Sequence, residues 1–234
     1  MALNISKTNI VHFTLHEAIE LHLEIDNQSI NQKEQVLFLG MLIDSHLDWE
    51  QQINKIHNKI KSGKFIINKV KNMLSKKHLK TLYYSLIQSY IDYGLILYGK
   101  ADDQYIKNIR NIQKNVIRII THSAYNSEIE PLYKECKIMT LSQRYDYLTN
   151  IFMFRFYRQM LPQGLQGCFT RNSAFHSYNT RHRNDPITPK CNLTKTQTSI
   201  RYTGPNNWSK LPKEIKSSQN TNLFKAKLKQ LTFK

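Results

Sequence analysis

Metal-assisted chemistry on phosphodiesters needs two or more carboxylates brought together, and the sequence offers one adjacent pair, Asp102 and Asp103. The pair stands just ahead of a helical pattern, where such carboxylates make good N-caps, so it is read as capping rather than catalytic. A second constellation is Cys168, His176, His182 and Cys191, whose side chains suit zinc. Their gaps of seven, five and eight residues fit no compact finger, and no CxxC or CxC pair nucleates a site. His176 and His182 are read instead as conditional positive charge in a basic loop. Neither a Walker pattern nor GxGxxG occurs, and seven glycines leave little room for a phosphate-cradling loop. No catalytic residue, metal or cofactor is expected.

What the residue types do support is binding to a polyanion. Residues 51–91 hold nine lysines (Lys55, Lys59, Lys61, Lys64, Lys69, Lys71, Lys76, Lys77 and Lys80) and neither Asp nor Glu, while an apolar residue recurs every three or four positions. A one-signed helical surface on a packed core follows, and a phosphate backbone is its commonest partner. A second basic ridge lies at Lys107, Arg110, Lys114 and Arg118, within about 80° on a helical wheel. Like charges at this spacing repel by a few tenths of a kcal/mol per pair, a sign that a bound polyanion reverses. Acids clustered at Glu128, Glu130 and Glu135 are the alternative partners.

These residues need helices to position them. The 234-residue chain is 40% hydrophobic and 11% aromatic, enough for a packed core. Its 34 Lys+Arg against 17 Asp+Glu give +17, far beyond what solubility asks. No segment approaches the roughly 20 apolar residues of a membrane span, though a basic amphipathic helix could lie on an anionic membrane surface. Three cysteines without CxxC spacing and no leader-like N-terminus indicate an intracellular protein, nuclear or cytoplasmic.

Alternation predicts short strands in residues 5–13, 21–25 and 36–43, with Gly40 at a bend. Asp48, with Gln51 three places on, is the expected cap of a helix reaching about Met73; Gly63 interrupts it at a local cost of ~1 kcal/mol. A second helix starts at Ser75 with Leu79, Leu82, Tyr83, Leu86 and Tyr90 inward and ends near Gly94. A third is capped by Asp102 or Asp103. Pro131 opens a short one, and Thr140 with Gln143 opens a long one through an aromatic run to Leu161, where Pro162 stops it. Aromatics beside Arg155 and Arg158 read as core more than as base-stacking surface. Residues 163–198 form a long loop, basic in its second half. A short strand at 199–202, a turn at 205–208 and a basic helix at 221–231 close the chain.

Several segments together resemble the C-terminal part of a non-LTR (LINE-type, jockey-like) retrotransposon reverse transcriptase. Leu3-Asn4-Ile5-Ser6-Lys7-Thr8-Asn9 is similar to the family's LNxxKT segment, motif D. Phe38-Leu39-Gly40, Ile43-Asp44 and Leu47-Asp48-Trp49 resemble the motif E primer-grip hairpin running into the thumb. Further matches are Tyr90-Ile91-Asp92-Tyr93-Gly94, Gln113-Lys114 with Arg118-Ile119-Ile120, Pro131-Leu132-Tyr133, His176-Ser177-Tyr178-Asn179-Thr180-Arg181, Ser199-Ile200-Arg201-Tyr202 with Gly204-Pro205 and Trp208, and Leu211-Pro212. The family's YxDD turn needs a Tyr where Lys100 stands, so Asp102 and Asp103 do not match it.

The resemblance implies a mainly α, thumb-like helical bundle with a small N-terminal antiparallel β-sheet remnant of a polymerase palm, α+β overall. It implies a palm remnant at 1–48, a thumb-like domain at 49–161 and a basic C-terminal region at 162–234. The polymerase carboxylates of motifs A and C would lie upstream, so no polymerase activity is expected of this chain. Lys7 matches the motif D lysine, associated with proton donation to pyrophosphate; Phe38, Leu39 and Gly40 match the primer grip. RNA, DNA or an RNA/DNA hybrid is the expected partner, through Lys55, Lys59, Lys76, Lys77, Lys80, Lys107, Arg110, Lys114, Arg118, Arg181 and Arg183. A complementary palm and fingers chain, completed in trans, is the alternative, as is a non-functional transposon relic.

Overall fold

A computed structural model describes residues 4–16, 19–174, 177–178, 183 and 185–233. Ahead of the helices, strand formation is sparse. After a 3-10 turn at Ile5–Lys7, β1 (Asn9–Ile10) pairs in parallel with β4 (Asn31–Gln32), and β2 (Glu24–Ile25) pairs antiparallel with β3 (Gln28–Ser29). Among the described residues, only β5 (Gln35–Phe38) and β6 (Met41–Asp44) make a four-residue antiparallel hairpin. The expected antiparallel sheet is therefore three two-stranded ladders, one of them parallel. Alternating apolar residues need a facing layer to hold a strand, and Phe13, Leu15, Ile19 and Leu23 have none: each is at least 50% exposed.

The helical bundle begins with α1 (Glu50–Val70). The sequence placed its cap at Asp48, but Trp49 precedes the helix in the left-handed region at φ 66°. The Asp44 carboxylate accepts the amides of Asp48 and Trp49, each at 2.9 Å, so the turn is held from β6. Asp48 points elsewhere, to Lys195 at 2.9 Å. Of the expected inward stripe, Ile53, Ile56, Ile60 and Ile67 are buried and Val70 is half-buried, whereas Leu74, beyond the end of α1, is exposed. Gly63, expected only as a local cost, lies where α1 meets its neighbour: an added Cβ would sit 2.7 Å from the Leu86 carbonyl oxygen.

That neighbour is a helix with one residue too many. α2 (Lys76–Tyr83) passes into a π turn at Tyr84–Gln88 and then into α3 (Ser89–Asp92). A π turn inserts a residue into the 3.6 period, and the buried series accordingly runs Leu79, Tyr83, Ile87, Gln88 and Ile91. Tyr90, expected inward, is 43% exposed.

After α4 (Leu95–Tyr98), α5 (Asp103–Thr121) is capped by Asp102, which accepts the Gln104 amide at 2.9 Å. α6 (Ile129–Cys136) carries Pro131 in its first turn and closes with Lys137 left-handed. α7 (Leu141–Tyr157) opens with the expected capping box: Gln143 N–H donates to Thr140 at 3.3 Å, and the Gln143 side chain accepts from the Thr140 amide at 2.9 Å. The core formed by α1 to α6 takes in Leu141 and Tyr145 of α7, and a second core takes in Ile151, Met153, Phe154 and Phe156.

The second core is built on α7 and the chain's last helices. α8 (Gln163–Gln166), a 3-10 turn at Asn172–Ala174 and α9 (Thr194–Thr198) punctuate the long loop. Residues 199–208, expected as strand and turn, are instead α10 (Ile200–Ser209), with Pro205 inside it. Burial overrides local propensity here, because Trp208 stacks on Tyr157 at 4.5 Å between ring centres and lies beside Phe224. α11 (Lys213–Lys216) leads to α12 (Thr221–Thr232), whose Phe224 stacks on Phe154 at 4.3 Å. The aromatic run of α7 is core, as read.

A chain of buried polar groups crosses the first core. Tyr133 Oη donates to Gln113 Oε1 at 3.1 Å. Gln113 Nε2 donates to Tyr83 Oη at 2.8 Å and to the Met139 carbonyl at 3.1 Å. Tyr83 Oη donates to Gln88 Oε1, and Gln88 Nε2 to Asp92 Oδ1, both at 2.6 Å. Arg144 closes the chain with Nε and Nη2 on the two Asp92 oxygens, at 2.8 and 2.6 Å. Burial works against the Arg144 cation, but the hydrogen bonds and charge of Asp92 outweigh it and raise its pKa. Replacing Gln113 by Leu should destabilise the fold by about 2–4 kcal/mol, since two buried hydroxyls lose partners; urea titration measures this.

Alkali gives a second test. Burial pushes the hydroxyls of Tyr83, Tyr98 and Tyr133 above the ordinary value, about 10 in an unfolded chain. Their contribution is therefore full below that pH and is lost as pH rises above it, because the unfolded chain ionises first. Part of the phenolate absorbance should appear only together with loss of helical circular dichroism. A phenolate signal complete before the helices melt would contradict the burial.

Candidate nucleic-acid interface

The lysines of residues 51–91 do not form one face. With Ile53, Ile56, Ile60 and Ile67 inward, the period of α1 sends Lys55 and Lys59 to one flank of the core stripe and Lys64 and Lys71 to the other. Lys61 and Lys69 are exposed. On α2, Lys76 is paired with Glu135, Lys80 is half-buried and Lys77 is exposed.

The Lys55 flank builds a groove. Gly40, Lys55, Lys59, Ser89, Tyr90 and Tyr93 line a cavity of about 510 Å³, with the β5–β6 hairpin at its edge. The hairpin turns through Leu39 and Gly40, both left-handed at φ 47° and 84°, which is the type I′ geometry suited to the twist of a hairpin. Gly40 takes that conformation freely; Leu39 is held there at a cost of ~1 kcal/mol or more. Three bonds tie it down: Leu42 N–H to Gln52 Oε1 at 2.9 Å, Lys55 Nζ to the Gly40 carbonyl at 2.8 Å, and Tyr93 Oη to the Leu39 carbonyl. Leu37, Phe38 and Leu39 nevertheless stand 60%, 60% and 76% exposed. An apolar tip is thus presented to solvent on a pinned backbone, beside a groove with a cationic and aromatic lining. Such a combination suits a phosphate backbone and the end of a base stack.

The α5 ridge is half engaged within the protein. Arg110 pairs with Asp103, and Arg118 Nη2 donates to the Ser127 carbonyl at 3.1 Å with its guanidinium 5.5 Å from the Tyr125 ring centre. Lys107 and Lys114 are exposed. Asp102 and Asp103 are occupied by the helix cap and by Arg110. Lys7 is exposed at the end of its 3-10 turn and is not among the groove's lining residues.

Arg183 is exposed, whereas Arg181 lies outside the described residues, and so do His176, His182 and most of the His176-to-Arg181 segment. Cys168 and Cys191 are half-buried free thiols. Among the described residues no three His, Cys, Asp or Glu side chains converge, and no helix is long and apolar enough to cross a membrane.

Sequence reasoning missed Tyr90 and Tyr93 as groove residues, and Asp44 and Gln52 as the parts that fix the hairpin. The Tyr90-Ile91-Asp92-Tyr93-Gly94 segment carries both tyrosines, but a regular helical period puts Tyr90 in the core.

The chain is similar to a protein of Drosophila melanogaster described as "Probable RNA-directed DNA polymerase from transposon X-element", with 26% identity over 144 residues that cover 60% of this chain and 16% of that protein. This supports a region related to a retrotransposon reverse transcriptase. No family model and no solved structure matches the chain.

If Leu39 is kept for its exposed side chain, Leu39→Asn should relieve the left-handed strain and raise stability by about 1 kcal/mol, while weakening association with an RNA/DNA hybrid. Thermal melting and fluorescence anisotropy measure the two effects, and a variant neither more stable nor weaker in binding would contradict this account of the turn.

Proposed function

We propose that this chain is the thumb and C-terminal part of a LINE-type, jockey-like reverse transcriptase, and that it binds RNA/DNA template–primer duplex or RNA through phosphate contacts without sequence selection. The observation that carries the reading is the exposed Leu37-Phe38-Leu39 tip, pinned beside the groove of Lys55, Lys59, Tyr90 and Tyr93. The duplex backbone would pass along the Lys59 side, with the last base pair against the tip. Lys77, Lys107 and Lys114 remain as outer contacts, since Lys76 and Arg110 already hold acids. The similarity to a transposon RNA-directed DNA polymerase supports the same partner class.

Binding without polymerisation is part of the proposal. The adjacent carboxylates are engaged in a cap and an ion pair, so this stretch of chain would hold a duplex for an active site located elsewhere. A second reading, completion of a palm and fingers chain in trans, draws on the exposed Phe13, Leu15, Ile19 and Leu23 beside two-residue ladders with open edges. Copurification with such a segment, and aggregation without it, would favour that role.

Charge reversal at Lys59, Lys77, Lys107 and Lys114 tests the main reading. Each lost phosphate contact should reduce the log–log salt slope of hybrid affinity by about 0.9; an unchanged slope would contradict it. Supplied with primer–template, magnesium and nucleotides, the chain alone should extend nothing, and extension abolished by Asp102→Asn with Asp103→Asn would overturn the assignment of those residues.

A further inference from the structure

On the other flank of α1 lies a second cavity, of about 560 Å³, between the C-terminal halves of α1 and α5. Lys64, Lys71, Asn115, Arg118, His122 and Tyr125 line it, and no Asp or Glu does among the described residues. The bland explanation is that cations near two helix ends offset their dipoles. Each C-terminus amounts to about −0.5 charge, so two ends cancel about one of the three permanent positive charges on Lys64, Lys71 and Arg118. An excess of about two remains, focused in a concave site.

Two details point to a particular ligand. Arg118 Nε is shielded from solvent yet has no hydrogen-bond partner, although the same guanidinium donates to the Ser127 carbonyl through Nη2. Tyr125 is 83% exposed, with the Arg118 guanidinium 5.5 Å from its ring centre. An aromatic ring backed by a guanidinium and otherwise open is a platform for a planar group. Bases inside a duplex are already stacked on both faces and cannot use it, whereas each base of an unpaired segment can.

We propose that this cavity binds a single-stranded stretch of nucleic acid, with one base stacked on Tyr125, adjoining phosphates held by Lys64, Lys71 and Arg118, and Asn115 within the same cavity as a hydrogen-bonding group. It is a site separate from the hairpin groove, and it does not depend on the duplex reading of that groove. An unpaired template or transcript segment could then be held on one side of α1 while a duplex is held on the other.

The test compares two labelled probes on the full chain by fluorescence anisotropy: an oligouridine about 12 nucleotides long and a blunt RNA/DNA hybrid. Tyr125→Ala should weaken oligouridine binding by about 5-fold or more and hybrid binding by less than about twofold, with Tyr125→Phe retaining both. Lys64→Gln with Lys71→Gln should lower the oligouridine salt slope by about 1.4. Tyr125 is exposed, so the variant should keep the parent's circular dichroism. Oligouridine affinity untouched by Tyr125→Ala, or equal losses on both probes, would overturn the proposal. Tyr125-dependent oligouridine binding by a chain that ignores the hybrid would sustain it and defeat the duplex reading instead.

Discussion

Gln113 lies at the centre of the first core, 1% exposed, and its carboxamide satisfies groups from α2, α6 and the loop ahead of α7 at once. A buried amide with unmet bonds is costly, so the helices can pack only in the arrangement that completes the chain from Tyr133 to Arg144. That arrangement requires Gln88 to face inward and meet Tyr83 five residues before it, a spacing that a regular helix does not bring together. The π turn at Tyr84–Gln88 does, and the same inserted residue turns Ile91 into the core and Tyr90 out. A constraint on burial thereby places an aromatic ring in the groove beside Lys59.

The hairpin depends on the same helices. Its ladder is four residues long, too short to be stable alone, and its turn carries a strained leucine. Asp44 ties its end to the turn before α1, Gln52 and Lys55 tie it to the body of α1, and Tyr93, the residue that follows α3, donates to the Leu39 carbonyl at its tip. What is gained is position: the apolar tip is held where a folded chain would ordinarily bury it. The proposed duplex wall rests on this exposed tip and on the lining of the groove beside it.

Legibility in the sequence followed how local the deciding interaction was. α5 and α7 could be read because their caps, Asp102 and Thr140 with Gln143, sit next to the stripes they begin. The start of α1 differs from the Asp48 expectation because no side chain caps it; Asp44 of the preceding strand instead holds the Asp48–Trp49 turn that leads into the helix. The outward turn of Tyr90 was hidden because an assumed 3.6 period has no place for an inserted residue. α10 was read as strand and turn because Gly204 and Pro205 speak locally, while Trp208, Tyr157 and Phe224 decide at long range. The lysines of residues 51–91 were correctly seen as one-signed, but their division between two flanks of α1 emerges only when the core stripe is oriented against α3 and α5.

That division places a cationic cavity on each flank of α1, with an apolar hairpin beside one of them, and in the proposed function the hairpin side receives the end of a duplex. Photocrosslinking from a 4-thiothymidine at the primer 3′ end of an RNA/DNA hybrid, mapped by mass spectrometry, tests it directly. Adducts should concentrate on Leu37, Phe38, Leu39, Tyr90 and Tyr93. Adducts scattered over the exposed lysines, or gathered at Tyr125 instead, would contradict it.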